Sequence, residues 1–240
     1  MKINYNFSPN FSKNSRLKKS IKFVIIHYTG MQSEIESVSR LKNPRAKVSC
    51  HYLINRKGTI IQMVKEKNIA WHAGKSKWKN LSNLNPCSLG IELVNKGHTF
   101  GYQNFSKKQI KSLISLCKNL KKKYAIPKEN FLGHSDIAPL RKTDPGEKFP
   151  WKKLKNKKLG IWYENSKFKL SKIDRKKLRN LFFINLHKIG YRYFNVKKET
   201  KNDVYLVKAF KRRFLPKNMN GIIDQKTYII SDFLANKVKI

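Results

Sequence analysis

The stretch Lys-Phe-Val-Ile-Ile-His-Tyr at residues 22–28 (KFVIIHY) decides how the first part of this chain folds. Its continuous β-branched and aromatic residues are typical of a strand buried on both faces. A second run of this kind, SLGIELVN, occupies residues 88–95, and a shorter one lies at 130–133. The first two runs predict buried strands of one sheet, and the third predicts a short strand that leads to His134.

Other strand and helix patterns alternate with these runs. Segments 50–55 and 59–64 flank Arg56-Lys57-Gly58 and predict a hairpin. Apolar spacing predicts a short helix over 34–42 and a longer one over 106–124. Ser106, with Gln109 three positions later, predicts a capping box at the start of the longer helix. Mixed strands and helices over 21–155 predict an α/β domain around one central sheet.

The remainder of the chain divides at changes in composition. Residues 1–20 are polar, and we expect an irregular N-terminal arm. Residues 21–158 form the expected α/β domain, and a lysine-rich, turn-prone stretch predicts a linker over 159–171. Residues 172–240 hold the last expected domain, a small three-helix unit. Its helix patterns cover three ranges: 174–189, 202–214 and 224–235.

The charge is strongly positive, at +40 over 240 residues. An anionic partner such as a cell-wall polymer, a membrane surface or nucleic acid explains this charge. A codon bias also explains it, because only ten of the 54 basic residues are arginine. We favour the bias, since no nucleic-acid-binding motif is present and we expect no specific nucleic-acid partner. The apolar fraction, 40%, excludes an intrinsically disordered chain.

Cysteine usage and hydropathy bear on the compartment. The three cysteines form no CxxC pair, so neither a disulfide framework nor a cysteine-based zinc site is predicted. No apolar run is long enough for a transmembrane segment. The N-terminus lacks the apolar stretch of a signal peptide, so we expect a cytoplasmic protein, with a periplasmic or wall-associated location as the alternative. The sequence gives no indication of the oligomeric state.

Two histidines and an aspartate are candidate metal ligands. His27 ends the first buried strand, where a hydrogen-bonded core histidine is an equally good interpretation. His134 follows the short strand at 130–133, and the Pro-Gly turn after Asp144 can fold that carboxylate back towards it. Two imidazoles and one carboxylate are a common catalytic zinc set that leaves a fourth position for water.

Glu92 and Lys142 are candidate catalytic residues. Glu92 lies among apolar neighbours in the strand 88–95, where it is either a solvent-facing glutamate or a general base. Lys142 lies two residues before Asp144 and can stabilise an oxyanion, although one lysine among so many carries little weight.

Four further residues are candidates for the wall of a substrate cleft: Tyr28, His51, Trp71 and His72. Trp71-His72 combines an aromatic surface with a hydrogen-bonding imidazole, which suits a sugar or peptide cleft; a tryptophan packed in a loop is the alternative interpretation. His51 follows Cys50 directly, and a Cys-His nucleophile pair is disfavoured because adjacent strand residues point to opposite faces. His98 and His187 are interpreted as surface or packing residues.

Taken in order, several segments resemble one family over residues 20–155. They are FVIIHYTG (23–30), VSCHYLINRKGTI (48–60), AWHAG (70–74), LGIELVN (89–95), GHSDIAP (133–139) and RKTDPG (141–146). Together they are similar to the type 2, AmpD-like zinc N-acetylmuramoyl-L-alanine amidases, relatives of phage amidase-type lysozymes and peptidoglycan recognition proteins. The resemblance implies a central mixed β-sheet flanked by helices.

The resemblance also implies roles for individual residues. His27, His134 and Asp144 match the zinc ligands, with one Zn²⁺ per chain. Glu92 matches the catalytic glutamate, and Lys142 matches the lysine that assists at the oxyanion. The implied activity is hydrolysis of the amide between N-acetylmuramic acid and L-alanine in peptidoglycan or muropeptides, during cell-wall turnover and recycling.

The C-terminal part carries a looser resemblance to peptidoglycan-binding three-helix domains. It rests on LHKIGY (186–191), AFKRRF (209–214) and NGIIDQKT (220–227). The alternative function is a recognition module that binds peptidoglycan without cutting it. The intact set of metal ligands and Glu92 favours the enzyme.

Overall fold

The computed structural model describes residues 2–164 and 174–237. The strands are β1 (Ile3–Tyr5), β2 (Phe11–Ser12), β3 (Phe23–Tyr28), β4 (Tyr52–Ile54), β5 (Ile60–Gln62), β6 (Ile69–Ala70), β7 (Lys77–Trp78), β8 (Leu81–Ser82), β9 (Ser88–Leu93) and β10 (Phe131–Gly133). Six of them form a central sheet with the strand order β1-β5-β4-β9-β3-β10. The other four form two two-stranded sheets, β2-β6 and β7-β8.

Helices surround this sheet and make up most of the C-terminal part. They are α1 (Glu34–Lys42), α2 (Lys107–Tyr124), α3 (His134–Ile137), α4 (Trp151–Lys155), α5 (Arg175–Ile189), α6 (Asp203–Phe214) and α7 (Gln225–Lys237). Short 3-10 turns lie at Lys18–Ser20, Pro44–Ala46, Asn85–Cys87 and Lys128–Asn130. Within the described residues, no helix has the length and apolar character needed to cross a membrane.

The central sheet is mixed, which confirms the expected α/β class. Strands β10, β3, β9 and β4 run parallel, whereas β4 and β5 form the predicted antiparallel hairpin. Every residue of β3 from Phe23 to His27 is buried, as its unbroken apolar pattern predicts. Because β10, β3 and β9 are parallel neighbours, their carboxyl ends meet at one edge of the sheet.

The two faces of the sheet belong to two hydrophobic cores. Alternate residues of β3 point to opposite faces. Val24 and Ile26 pack in the core that includes the apolar face of α2. Phe23 and Ile25 pack in the core that includes α5, α6 and α7. By the same alternation, His27 lies on the face that the C-terminal helices cover.

The C-terminal helices therefore share a continuous core with the sheet. Phe182, Phe183 and Phe210 are fully buried in the cluster that also contains Phe23 and Ile25. The start of the predicted linker is packed as well, since Leu159 is fully buried. Residues 165–171 of that linker lie outside the described residues, and the domain boundary itself stays a prediction.

The N-terminal arm is more ordered than expected. Ile3–Tyr5 pairs in parallel with β5, and Phe11–Ser12 pairs with β6. Between them, the Ser8 hydroxyl donates to the Leu41 carbonyl. The expectation of an irregular arm is wrong for these residues, because β5 and β6 each offer an open strand edge whose backbone groups need partners.

Helix α2 begins at the predicted cap, with one correction. The Ser106 hydroxyl accepts from the Gln109 backbone N–H at 3.0 Å. The Gln109 side chain does not return to Ser106; it donates to the carbonyls of Ile54 and Val94 at 2.9 and 3.1 Å. The reciprocal half of the capping box is therefore wrong, because Gln109 ties α2 to the ends of β4 and β9 instead.

Candidate metal centre

Two of the predicted ligands lie at the same edge of the sheet. His27 is the penultimate residue of β3, and His134 follows β10 directly as the first residue of α3. Gly133 pairs with Ile26 in the parallel register of these neighbouring strands. The fold therefore brings together two imidazoles that are 107 positions apart in the chain.

Asp144 reaches this edge by a local turn. The Ser135 backbone N–H donates to the Asp144 carbonyl at 2.9 Å, which closes the loop after α3. The peptide bond between Asp144 and Pro145 is cis. The Asp144 Oδ2 atom lies 3.1 Å from His134 Nδ1, as the predicted Pro-Gly turn requires.

The three side chains form a tight, buried triangle. His27 Nδ1 lies 3.0 Å from both His134 Nδ1 and Asp144 Oδ2. His27, His134 and Asp144 are 1%, 3% and 6% exposed, respectively. Ligand atoms about 2.0–2.1 Å from a tetrahedral zinc ion stand roughly 3.3–3.4 Å apart, so the triangle is only slightly tighter than an occupied site.

Hydrogen bonds behind His27 fix its tautomer. The Ser88 hydroxyl donates to the Leu84 carbonyl at 2.6 Å, so it accepts from His72 Nε2–H at 3.2 Å. Neutral His72 then presents an acceptor at Nδ1, and His27 Nε2–H donates to it at 3.1 Å. This leaves the lone pair of His27 Nδ1 facing the triangle.

His134 is oriented in the same way from another side. Its Nε2–H donates to the Ala73 carbonyl at 3.1 Å, and Arg141 donates to the same carbonyl. Its Nδ1 lone pair therefore also faces the triangle, beside the Asp144 carboxylate. Three lone pairs that converge at this distance repel one another unless a cation lies among them, so the donor set fits a metal ion.

The electrostatics of the triangle favour ligand protonation states. Burial and the neighbouring His134 lower the pKa of His27 to about 4, against the opposing effect of Asp144. Burial opposes ionisation of Asp144, but His134 and His27 outweigh it when a proton lies between them and the carboxylate, and they hold the pKa of this carboxyl well below its usual range. A neutral imidazole and an ionised carboxylate are the forms that bind metal.

Glu92 lies beside this triangle on the neighbouring strand. It pairs with His27 in the register of β9 and β3, so both side chains point to the same face. Its Oε2 atom is shielded from solvent and has no hydrogen-bond partner among the described residues. Burial raises the pKa of Glu92 to about 8, and Asp144 adds to this rise while Lys142 opposes it.

A cavity of about 320 Å³ opens over these groups. Glu92, Lys142 and all three triangle residues line it, together with the cationic side chains of Arg40 and Arg141. The structure therefore brings all five residues of the predicted metal and catalytic sets to one cleft.

Three of the four predicted cleft residues line this cavity: Tyr28, Trp71 and His72. The Tyr28 hydroxyl lies 3.0 Å from Thr143 Oγ1 and 2.8 Å from Nδ1 of His98, which packs at the rim. Trp71 fits both of its interpretations, as a cleft residue and as a packed tryptophan. It lines the cavity, and its indole N–H also donates to Ser12 Oγ at 3.0 Å.

The prediction that His51 lines the cleft is wrong. It is fully buried behind His72, and its Nδ1 accepts from the Gly90 backbone N–H at 3.0 Å. The ring supports β9 from within and does not reach the cavity. Cys50, Cys87 and Cys117 are free thiols.

Gly90 and Ser88 support the site and were not identified from the sequence. A Cβ atom on Gly90 would lie 2.4 Å from the His72 ring, so only glycine leaves room for that imidazole. The available signal was a glycine inside a buried strand, which commonly marks the close approach of another group.

Residues 17–147 match the model of the family Amidase_2, described as N-acetylmuramoyl-L-alanine amidase. N-acetylmuramoyl-L-alanine amidase AmiD of Escherichia coli K12 is 34% identical over 232 residues, which cover 90% of this chain and 83% of that protein.

Two solved structures resemble the whole fold. One is E. coli AmiD in complex with the substrate anhydro-N-acetylmuramic acid-L-Ala-D-gamma-Glu-L-Lys, with a TM-score of 0.79, 32% identity and coverage of 94% of this chain and 92% of that one. The other is AmpDH3 from Pseudomonas aeruginosa in complex with anhydromuramic pentapeptide, with a TM-score of 0.79, 29% identity and coverage of 99% and 98%.

Proposed function

The chain belongs to the Amidase_2 family and is an N-acetylmuramoyl-L-alanine amidase, and we propose that it cleaves anhydro-muropeptides with one zinc ion held by His27, His134 and Asp144. The observation that carries this proposal is the convergence of three lone pairs within 3.1 Å in a buried triangle.

Zinc is the metal that this donor set suits best. Two imidazole nitrogens and one carboxylate oxygen leave one tetrahedral position open, as in catalytic zinc sites. When bound, zinc supplies Lewis acidity that makes water nucleophilic near neutral pH and polarises the amide carbonyl. Calcium and magnesium prefer oxygen ligands, so the two imidazoles disfavour them.

Glu92 acts as the proton carrier in this proposal. Its Oε2 atom accepts a proton from the attacking water and later delivers it to the leaving amine of L-alanine. Within residues 2–164 and 174–237 this oxygen has no hydrogen-bond partner, which leaves it free for such an exchange. The raised pKa, about 8, suits a group that must both gain and lose a proton near neutral pH.

Lys142 and the other cationic groups of the cleft bind the negative charges of the substrate and of the oxyanion. The Lys142 ammonium lines the cavity with Glu92 and the triangle, where it balances the negative charge of the tetrahedral oxyanion. Arg40 and Arg141 extend the positive lining, which suits the carboxylates of a muropeptide stem. The ligands of the E. coli and P. aeruginosa structures support the anhydro form as the substrate.

The decisive experiment is a digestion with a defined product. The purified protein is incubated with a soluble anhydro-muropeptide and, separately, with intact peptidoglycan, and free peptide is measured by mass spectrometry. We expect peptide release from the soluble substrate, its loss with a chelator and its return with zinc. Binding without release in the presence of zinc would favour the recognition module instead. The cytoplasmic location stays a prediction that cell fractionation tests.

A further inference from the structure

The C-terminal helical unit, residues 174–237, contacts helix α3, whose first residue is the metal ligand His134. Resting on the proposed zinc function, we propose that Arg213 and Tyr191 of this unit position His134 by holding the carboxylate of Asp136. The unit is then part of the metal centre's support, in addition to any role in binding peptidoglycan.

Asp136 is bound mainly by the C-terminal helical unit. It is only 1% exposed. Its Oδ1 accepts from the Tyr191 hydroxyl at 2.6 Å. Its Oδ2 accepts from Arg213 Nη1 and from the Gly133 backbone N–H, the latter at 2.8 Å. Two of these three donors come from a part of the chain more than 50 positions away.

Arg213 also binds the strand that precedes His134. Besides Asp136, its guanidinium donates through Nη2 to the Phe131 carbonyl at 3.1 Å. It also lies over the Trp151 ring, 4.0 Å from the ring centre. Arg213 is 3% exposed, so these contacts form away from competing water. One side chain thus ties the first residue of β10 to the helix that follows the strand.

These contacts bear directly on the orientation of His134. Gly133 is the N-cap of α3, and His134 is the first residue of that helix. A four-residue helix has no stability of its own, so its position depends on tertiary contacts. The Asp136 carboxylate binds the backbone N–H of Gly133, the residue before His134. Arg213 and Tyr191 in turn hold that carboxylate, which lies two residues after His134.

Both donors lie in the stretches that resemble peptidoglycan-binding domains. Tyr191 ends LHKIGY, and Arg213 lies in AFKRRF. Both stretches carry the resemblance to peptidoglycan-binding domains. Part of that resemblance therefore falls on residues that face the amidase core rather than solvent.

The test measures zinc affinity in the full-length protein. Arg213→Met and Tyr191→Phe are compared with the wild type by chelator competition, and Co²⁺-substituted proteins are compared by visible absorption. We expect the zinc dissociation constant to rise about 10- to 100-fold for Arg213→Met and about fivefold for Tyr191→Phe, which removes a single hydroxyl. The cobalt spectrum should change in both variants.

A matched control comes from the same helical unit. Arg179 is also buried and donates through Nε to Asp203 at 2.8 Å, without contacting Asp136. Arg179→Met should lower the melting temperature while leaving zinc affinity and the cobalt spectrum unchanged.

Three results have distinct meanings. If Tyr191→Phe and Arg213→Met bind zinc within twofold of the wild type, the positioning role is overturned. The same conclusion follows if Arg179→Met weakens zinc binding as strongly as they do, because the effect is then general destabilisation. If the wild type itself takes up no zinc, the proposed function fails instead.

Discussion

Replacing Glu92 with glutamine should change how the stability of the metal-free protein depends on pH. The carboxyl lies in a site that raises its pKa from an ordinary value of 4.5 to about 8. Glutamine has nearly the same shape and cannot ionise. The variant therefore removes one titration and leaves the packing of β9 unchanged.

The direction of the pH effect follows from the protonation of Glu92 in the folded and the unfolded chain. In the unfolded chain Glu92 loses its proton near pH 4.5, whereas in the folded protein it keeps the proton until about pH 8. Between these values the folded state binds one more proton than the unfolded state. The contribution of Glu92 to the free energy of unfolding is therefore fully present at low pH and is lost as pH rises. The loss is about 1.4 kcal/mol per pH unit, or about 4 kcal/mol from pH 5 to 8.

His27 contributes in the opposite direction over a lower range. Its folded pKa of about 4 lies below its ordinary 6.5, so the unfolded chain binds the extra proton and stability rises with pH in that window. This contribution is the same in both proteins and cancels in their difference. The difference between Glu92→Gln and the wild type therefore reports Glu92 alone.

The assay is urea unfolding of both metal-free proteins at pH 5, 6.5 and 8, followed by circular dichroism. We expect the variant to gain about 4 kcal/mol relative to the wild type between the two end points. Added zinc should reduce this gain, because a nearby cation stabilises the ionised carboxylate. Parallel stability curves for the two metal-free proteins would refute the argument that Glu92 is held in its protonated form.

Three further predictions concern the metal, the proton carrier and their support. His134→Ala should lose bound zinc on dialysis, measured by metal analysis, and full zinc occupancy would contradict its assignment as a ligand. Glu92→Ala should retain zinc and lose turnover by about 10²- to 10⁴-fold in the peptide-release assay, and undiminished turnover would contradict the general-base role. Gly90→Ala places a methyl group 2.4 Å from the His72 ring, so it should weaken zinc binding about tenfold and lower the unfolding midpoint; unchanged zinc affinity would show that His72 does not orient His27.

Local patterns were sufficient to predict most of the strands and helices. Residues 22–28 were predicted as a buried strand, and Phe23–Tyr28 forms one. The helix that follows Ser106 starts at its predicted cap. Such elements are predictable because capping and apolar periodicity act between residues a few positions apart.

The errors arose where a residue's partner lies far along the chain. Gln109 bonds to Ile54, 55 positions away, rather than to its own helix cap. Ile3–Tyr5 becomes a strand only because the edge of β5 is open to it. His51 supports Gly90 from 39 positions away, and nothing in its local sequence indicates this.

The candidate site shows the same difference between contacts that are local in the chain and contacts between distant residues. The turn that returns Asp144 to His134 was predicted from ten residues of local sequence. His27 lies 117 positions from Asp144. Its position at a strand end made a ligand and a core histidine equally good interpretations, and the family resemblance favoured the ligand. The contact between Arg213 and Asp136 spans 77 positions and had no local signal at all.

The most direct test of the metal centre is X-ray diffraction from crystals grown with zinc, measured on both sides of the zinc absorption edge. We predict one anomalous peak about 2.0–2.2 Å from each of His27 Nδ1, His134 Nδ1 and Asp144 Oδ2. A triangle without a peak, or a zinc peak elsewhere while these three atoms remain together, would contradict this metal site.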